Sequence, residues 1–322
     1  MTRGRAVLLG AFVFAVAAAV ASPFLGAGID FSTVEGRYIF FELRLPRALL
    51  GLGVGAALAT AGVILQAILR NPLATEYTLG VASGSAFAVV VAVVLGIDSL
   101  LKPYLGQPLV GMAGAVCVIW LTYRAARVRD RVPPHTLLLA GVALTYLFSA
   151  LILAVQYRAT PADASRILRW LVGSLETTHR YVAPAIVGGA VVLGLAALLP
   201  LGRAFNAMGG GEEAAEGVGV DVRRVVRRGY LAASLIVGVV VAFAGPIGFL
   251  GLIVPHALRL LGLVDNRYLI PAAALAGGGF LALCDGLANL LPGAQLPVGI
   301  ATQLIGGPFF LALLLREKRR TY

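Results

Sequence analysis

Long apolar runs, separated by short segments rich in Pro, Gly or Arg, repeat along the whole chain. An α-helix of about twenty residues, rising about 1.5 Å per residue, crosses a hydrocarbon layer of about 30 Å. The pattern therefore predicts ten membrane spans, near 6–25, 47–69, 78–97, 107–124, 136–157, 181–200, 228–245, 247–262, 268–290 and 298–315. We expect an all-α, polytopic membrane protein, with one transmembrane domain filling residues 1–322.

The positions of Lys and Arg orient these spans. With a cytoplasmic N-terminus, the segments placed inside hold 18 of the 26 Lys and Arg residues, as the positive-inside rule requires. An even number of spans keeps the basic segments 124–135 and 316–322 on that same side. Both termini are thus predicted to be cytoplasmic. The net charge of +11 follows from topology, because the basic residues form no single stripe or arm of the kind that binds nucleic acid.

Small residues recur at helical spacing within two spans, at Gly51, Gly55 and Gly62 and again at 277–279. Such positions let helix backbones approach closely in lipid, so we expect a tightly packed bundle. On the outer side, residues 158–180 carry apolar side chains at helical spacing among polar ones. This segment is expected to be either a short helix lying at the membrane interface or a plain surface connector.

The sequence contains no recognisable set of residues for catalysis or for energy conversion. Asp285 is the only acid well inside a predicted span, and a single acid makes a poor proton relay; a structural hydrogen bond between helices is an equal alternative. The glycine-rich stretch 209–213 lacks the Lys and hydroxyl residue of a nucleotide-binding loop. The Cys and His residues lack metal-ligand spacing. We expect no enzyme, no catalytic residue and no metal site, with energy supplied by a partner.

Residues 203–228, "RAFNAMGGGEEAAEGVGVDVRRVVRR", form the one long polar interruption in the second half of the chain. The stretch 212–216 favours a short helix with acids in its first turn, where they suit the helix dipole. Gly217 or Gly219 can end that helix, and Asp221 can cap a second one that carries four arginines. The segment therefore predicts two short cytoplasmic helices, although a solvated loop fits the composition as well.

Four stretches of the chain, read together, resemble the permease family of ABC importers for iron-siderophores, heme and cobalamin. They are residues 44–86, 137–144, 242–271 and 296–310, and they include Arg-Leu-Pro-Arg, Asn-Pro-Leu-Ala and Pro-His-x-x-Arg in that order. The resemblance covers nearly the whole chain. It implies a type II importer transmembrane subunit with ten helices, located in the inner membrane and moving a metal chelate.

The resemblance also implies partners. Two permease subunits, two copies of this chain or this chain and a homologous permease, would surround one pathway. Two ATPase subunits, which bind the ATP and Mg, would attach inside, and a periplasmic or lipid-anchored substrate-binding protein would dock outside. This chain would bind no cofactor and no nucleic acid. An ion-coupled secondary transporter is the alternative function.

In the family, the pattern Leu-Gly-Glu-Glu-x-Ala-x-x-Leu-Gly between spans six and seven couples the permease to its ATPase. The matching residues here are Gly211, Glu212, Glu213, Ala215, Val218 and Gly219, with Gly210 where leucine is usual. The family's docking arginines correspond to Arg44 and Arg47, which could otherwise anchor the chain at lipid headgroups. Asn289 stands where a third arginine is common, and Gln295 replaces a usual glutamate. Docking is expected to rest on two arginines or to recruit Arg158 or Arg180.

The resemblance further implies a cytoplasmic gate at Asn71 and Leu73, where Asn-Pro ends the second span and leucine offers an apolar plug. A tight turn without a gating role is the alternative. A second gate segment corresponds to His135, where small hydroxyl residues are more usual. His256 and Arg259 match the Pro-His-x-x-Arg motif near the inner face; buried structural hydrogen bonds and contact with the ATPase explain them equally well.

Overall fold

The structure, a computed structural model, describes residues 3–26, 28–97, 106–129, 131–176, 180–290 and 296–321, with side chains of the last helix described only as far as 312 and at 315. Over these residues the chain is all-helical, and its only extended pairing is an isolated bridge between Val128 and Arg131. The predicted fold class is confirmed.

Fourteen α-helices occur within the described ranges. In chain order they are α1 (Arg3–Ala21), α2 (Val34–Tyr38), α3 (Leu45–Leu69), α4 (Val81–Val94), α5 (Gly106–Ala126), α6 (Pro134–Gln156), α7 (Pro161–Leu171), α8 (Val182–Leu198), α9 (Gly202–Met208), α10 (Glu212–Gly217), α11 (Val222–Ala244), α12 (Leu250–Leu260), α13 (Asn266–Ala288) and α14 (Val298–Thr321). A π-helical turn, Ile39–Arg44, joins α2 to α3, and a 3₁₀ turn, Glu76–Leu79, precedes α4.

Among the described residues, seven helical stretches are long and apolar enough to cross a membrane: Arg3–Phe24, Val34–Leu69, Gly106–Ala126, Pro134–Gln156, Val182–Met208, Val222–Ala244 and Asn266–Ala288. Three shorter apolar helices, Val81–Val94, Leu250–Leu260 and Val298–Ala312, coincide with the predicted third, eighth and tenth spans. Backbone breaks shorten two of them, since left-handed Gly80 begins α4 and left-handed Phe249 begins α12. The count of ten spans and the cytoplasmic termini stay predictions.

Helix α3 lies at the centre of the bundle and is buried along most of its length. It packs against α13, α11, α12 and α8. A Cβ added at Gly55 would overlap the carbonyl oxygen of Gly277 on α13, and one added at Gly62 would overlap the carbonyl oxygen of Gly251 on α12. The backbones of α3 and its neighbours thus touch directly, which confirms the close packing predicted from the small residues.

These contacts give the first prediction. We expect Gly55→Ala to destabilise the protein by about 1–3 kcal/mol, because the added methyl group forces α3 and α13 apart. Thermal unfolding in detergent measures the effect. The matched control is Gly188→Ala on α8, where an added Cβ meets nothing within 4 Å. Equal unfolding temperatures for the two variants would contradict the packing argument.

The segment between α6 and α8, which the sequence places on the outer side, contains a short helix. Helix α7 begins at Thr160, whose hydroxyl accepts a hydrogen bond from the Asp163 backbone N–H, and Pro161 occupies the first turn. Ile167 is buried against the bundle, whereas Leu168 is exposed. The helix predicted within 158–180 is therefore present. Its position relative to the membrane interface stays a prediction.

Candidate functional site: the coupling segment, the gate turn and the outer arginines

The polar segment 203–228 folds into more helix than the sequence predicted. Helix α9 (Gly202–Met208) was not expected. Helix α10 (Glu212–Gly217) is the predicted acidic helix. The second short helix was wrong as a separate element, because nothing breaks the chain between Val222 and Ala244 and the arginines form the first turns of the long helix α11. Asp221 caps that helix as predicted, accepting from the Arg224 backbone N–H at 2.9 Å.

Two glycines set the ends of α10. Gly211 has φ +109° and Gly219 has φ +85°, a region that residues with a side chain rarely adopt. The backbone N–H of Val220 returns to the carbonyl of Ala215 at 3.0 Å, which closes the C-terminus of the helix. Ala215 is fully buried beneath the helix, while Val218 is 73% exposed. Residues 211–219, called the coupling segment below after the role predicted for them, therefore present a fixed, partly apolar tip to solvent.

Ion pairs connect α10 to two neighbouring loops. Arg70, at the end of α3, lies 3.6 Å from Glu212, and Arg131, in the loop before α6, lies 3.6 Å from Glu216. A cleft of about 570 Å³ between these elements is also lined by His135. Because all four charged side chains are partly exposed, each pair contributes only about 0–1 kcal/mol. The coupling segment is thus brought together with two turns. One begins at Arg70 after α3, and the other ends at His135 at the start of α6.

A second connection joins α9 to the start of α13. The Asn206 side chain donates to Asp265 at 2.7 Å and accepts from the backbone N–H of Asn266 at 2.8 Å. The Arg267 guanidinium, which pairs with Asp265 at 2.6 Å, holds the pKa of that carboxyl well below its usual range. The segment 203–228 therefore contacts its neighbours at two places. Helix α10 pairs with Arg70 and Arg131, and α9 is hydrogen-bonded to the start of α13.

The predicted gate residues lie on a tight turn after α3. Arg70 adopts a left-handed conformation with φ +49°, and the Asn71 side chain accepts from the Leu73 backbone N–H at 2.9 Å. Leu73 is 50% exposed. It borders an apolar groove of about 430 Å³, whose other walls include Tyr77, Phe249 and Phe310. The turn therefore holds an apolar side chain at the mouth of a groove formed with α12 and α14.

The inner-face motif residues lie on α12 against α3. Arg259 donates through Nη1 to the side-chain oxygen of Gln66, and the Gln66 amide donates to the Gly251 carbonyl at 2.8 Å. His256 is half-buried on the same helix. Sequence reasoning missed Gln66, although a polar side chain within the apolar run of α3 was a usable signal. Arg259 thus takes part in a hydrogen-bonded link between two helices.

Arg47, near the start of α3, forms a two-point ion pair with Asp285 on α13. Its Nε and Nη2 atoms lie 2.7 and 2.8 Å from the two carboxylate oxygens. Asp285 is almost completely buried, and the Arg47 side chain is 14% exposed. The sequence singled out both residues but did not pair them. Of the two roles left open for Asp285, the structure gives the interhelical contact.

Arg44 ends the π-helical turn that precedes α3. Its guanidinium donates to the Pro23 carbonyl at 3.4 Å and is partly buried. Nearby, Arg180 pairs with Glu42 at 3.1 Å and lies over the Tyr38 ring. Arg44 and Arg180 thus both lie beside the turn Ile39–Arg44. Gln295 lies outside the described residues.

A helical membrane bundle that carries a rigid polar segment at one end and a buried ion pair near the other has the architecture of a membrane transport permease. The chain matches the FecCD transport family over residues 5–316. It belongs to that family, which confirms the resemblance drawn from its motifs. The family's permeases are inner-membrane transport subunits and not enzymes, and this chain is likewise a multi-pass inner-membrane protein.

Similar proteins cover most of the chain. The vitamin B12 import system permease protein of Yersinia enterocolitica is 40% identical over 88% of this chain and 83% of its own length. The cobalamin import system permease protein of Halobacterium salinarum is 39% identical over 89% of this chain and 76% of its own length. A solved ABC transporter assigned to the metal-chelate type, in an inward-facing conformation, superposes with a TM-score of 0.84 at 32% identity, covering 97% of this chain and 99% of that one.

Proposed function

We propose that this chain is the transmembrane subunit of a cobalamin importer driven by a separate ATPase. The observation that carries the proposal is the coupling segment, a capped helix with a buried Ala215 and an exposed tip, in a chain that is 38–40% identical to vitamin B12 and cobalamin permeases. Cobalamin is favoured over iron-siderophores and heme because those relatives are named for it. Two copies of the chain enclose the pathway.

In this proposal, α10 receives the movement of the ATPase. Gly211, Glu212, Glu213, Ala215, Val218 and Gly219 form the contact, and the ATP and Mg stay on the partner. The ion pairs to Arg70 and Arg131 support a route from α10 to the gate residues Asn71, Leu73 and His135. Because each ion pair is weak, the two loops stay close to α10 but can still move relative to it. His256 and Arg259 support the inner face of the same region.

On the outer side, Arg44 and Arg47 receive acidic side chains of the substrate-binding protein. Arg44 is partly exposed, and its guanidinium has the planar donor geometry that suits a charge pair with an incoming carboxylate. Arg47 already holds Asp285, and its contact with the binding protein would be shared with that carboxylate. Position 289, where a third arginine is common in the family, is Asn in this chain. Arg180, which lies beside the same turn as Arg44, takes the place of that arginine.

A test reconstitutes the chain in proteoliposomes and measures uptake of radiolabelled cobalamin. We expect uptake only when the cognate ATPase, ATP and binding protein are all present, since this chain carries no nucleotide-binding loop. Ferric siderophore and heme serve as competing substrates. Omitting the ATPase while applying a proton or sodium gradient is the control for the secondary-transporter alternative.

Uptake driven by an ion gradient without the ATPase would overturn the proposed energy source. ATP-dependent uptake of a siderophore or heme in preference to cobalamin would keep the importer and overturn its substrate.

A further inference from the structure

Glu76 is a fully buried carboxyl group within the described part of the chain. It begins the 3₁₀ turn Glu76–Leu79, is 1% exposed, and neither carboxylate oxygen has a hydrogen-bond partner. Burying an unpaired charge is costly, so such a group favours its neutral form. Burial raises the pKa of Glu76 to about 7. The sequence did not reveal this residue, because it falls in a short turn between two predicted spans.

The Glu76 carboxyl sits where α12 approaches α3. A Cβ added at Gly251 would lie 2.6 Å from the Oε2 atom of Glu76, and Gly251 also accepts the hydrogen bond from Gln66. A side chain at position 251 would force the carboxyl group to shift from its present place. The side chain of Glu76 therefore fills a gap in an interhelical contact, and it attaches the turn that carries Leu73 to α12.

Other features keep this turn rigid. Thr75 and Thr78 form a capping box, with the Thr78 hydroxyl donating to the Thr75 carbonyl at 2.6 Å. The Tyr77 carbonyl accepts from Thr145 on α6 at 3.1 Å. Movement of Leu73 together with this turn therefore requires the Glu76 side chain to leave its place beside Gly251.

The ionisable groups on the elements packed against the turn are few. Helix α3 carries Arg47 and is followed by Arg70; α5, whose Thr122 donates to the Leu79 carbonyl, carries Cys117, Tyr123 and Arg124; α6 carries His135 and Tyr146; α12 carries His256 and Arg259; α4 carries none. Tyr77 is the neighbour within the turn itself. None of these groups donates a hydrogen bond to Glu76. Arg259, the arginine of α12, is bound to the Gln66 side chain.

We propose that Glu76 is a positioning residue for the turn 71–79, holding it against α12 while the carboxyl is neutral and releasing it when the carboxyl ionises. The released carboxylate is taken up by water or by Arg259. This inference rests on the proposed function only in giving the turn a gating role. It assigns to the gate a protonation step that neither Asn71 nor Leu73 can supply.

The direction of the pH effect follows from linkage. The carboxyl titrates near its ordinary value of 4.5 when the turn is released and at about 7 when the turn is packed. The packed state therefore binds more protons between these values, and its advantage falls as the pH rises from about 4.5 to 7, then levels off. The ratio of released to packed turns can rise by at most roughly 300-fold across this window.

The test uses the full chain in lipid nanodiscs, without transport. Cys117→Ser and Cys284→Ala remove the two cysteines, and bimane is attached to the thiol of Leu73→Cys. We expect the bimane emission to shift to longer wavelength as the pH rises from 5 to about 8 and to stay constant above that. With Glu76→Gln, which keeps the size of the neutral acid, we expect the low-pH spectrum at every pH.

Bimane on Val218→Cys, at the exposed tip of α10, controls for pH effects elsewhere in the chain. Unfolding temperatures at pH 5 show that Glu76→Gln is folded. A pH shift that persists in Glu76→Gln, or no shift with Glu76 present, would overturn the assignment. A shift that Glu76→Gln abolishes, in a chain that shows no ATP-dependent uptake, would keep the assignment of Glu76 and overturn the proposed function.

Discussion

Asp285→Ala should lower the free energy of unfolding by about 3–5 kcal/mol, because it leaves the Arg47 guanidinium buried without its carboxylate. Both hydrogen bonds of the pair are short, and the carboxylate is almost completely buried. Arg47→Ala should lower the free energy of unfolding by a similar amount, because it leaves the buried Asp285 carboxylate without its arginine. Chemical unfolding of the detergent-solubilised protein measures both.

Two controls separate the buried pair from charge effects in general. Glu216→Ala removes one half of an exposed pair and should change stability by no more than about 1 kcal/mol. The double variant Arg47→Met with Asp285→Leu removes both charges and should be more stable than either single variant. A cost below about 1 kcal/mol for Asp285→Ala would show that the pair does not hold α3 to α13.

Replacing residues 212–218 by a Gly-Ser linker of equal length should yield a folded membrane protein that no longer copurifies with its ATPase. Asp221 is kept, because it caps α11. Loss of α10 removes the exposed tip at Val218 together with the ion pairs to Arg70 and Arg131. We expect the affinity for the ATPase to fall more than about tenfold, which corresponds to about 1.4 kcal/mol or more.

A point variant sharpens this test. Glu213→Lys changes the charge of an exposed residue on α10 without touching the buried Ala215. Its matched control is Glu35→Lys, an exposed acid on α2 in the outer segment. ATPase retention and ATP-driven uptake should fall for the first variant only. Full retention of the ATPase by the linker variant would contradict the coupling assignment.

The sequence predicted the helical membrane fold because span length and loop charge are local properties. Apolar runs of the required length, arginines between them and glycines at helical spacing can all be counted along the chain. The acidic start of α10, the glycine that ends it and the Asp221 cap were predictable for the same reason, since each depends on a few neighbouring residues.

Features that depend on distant segments could not be predicted. Arg47 and Asp285 are separated by 238 positions, and nothing local shows that α3 and α13 bring them together. Gln66 with Arg259 depends on the crossing of α3 and α12, and the burial of Glu76 depends on Gly251. The continuity of α11 was missed because the arginines of 223–228 were assigned to a short helix separate from the following span, whereas exposed arginines are also ordinary in the first turns of a long helix.

The direct backbone contacts of α3 restrict how this protein can change shape. A helix that touches one neighbour at Gly55 and another at Gly62 has no side-chain layer that could absorb sliding or rotation. Helix α6, by contrast, buries few of its residues within the described part of the chain. In alternating access we therefore expect α3 to stay in place, while the peripheral helices and the turn after Leu69 change position.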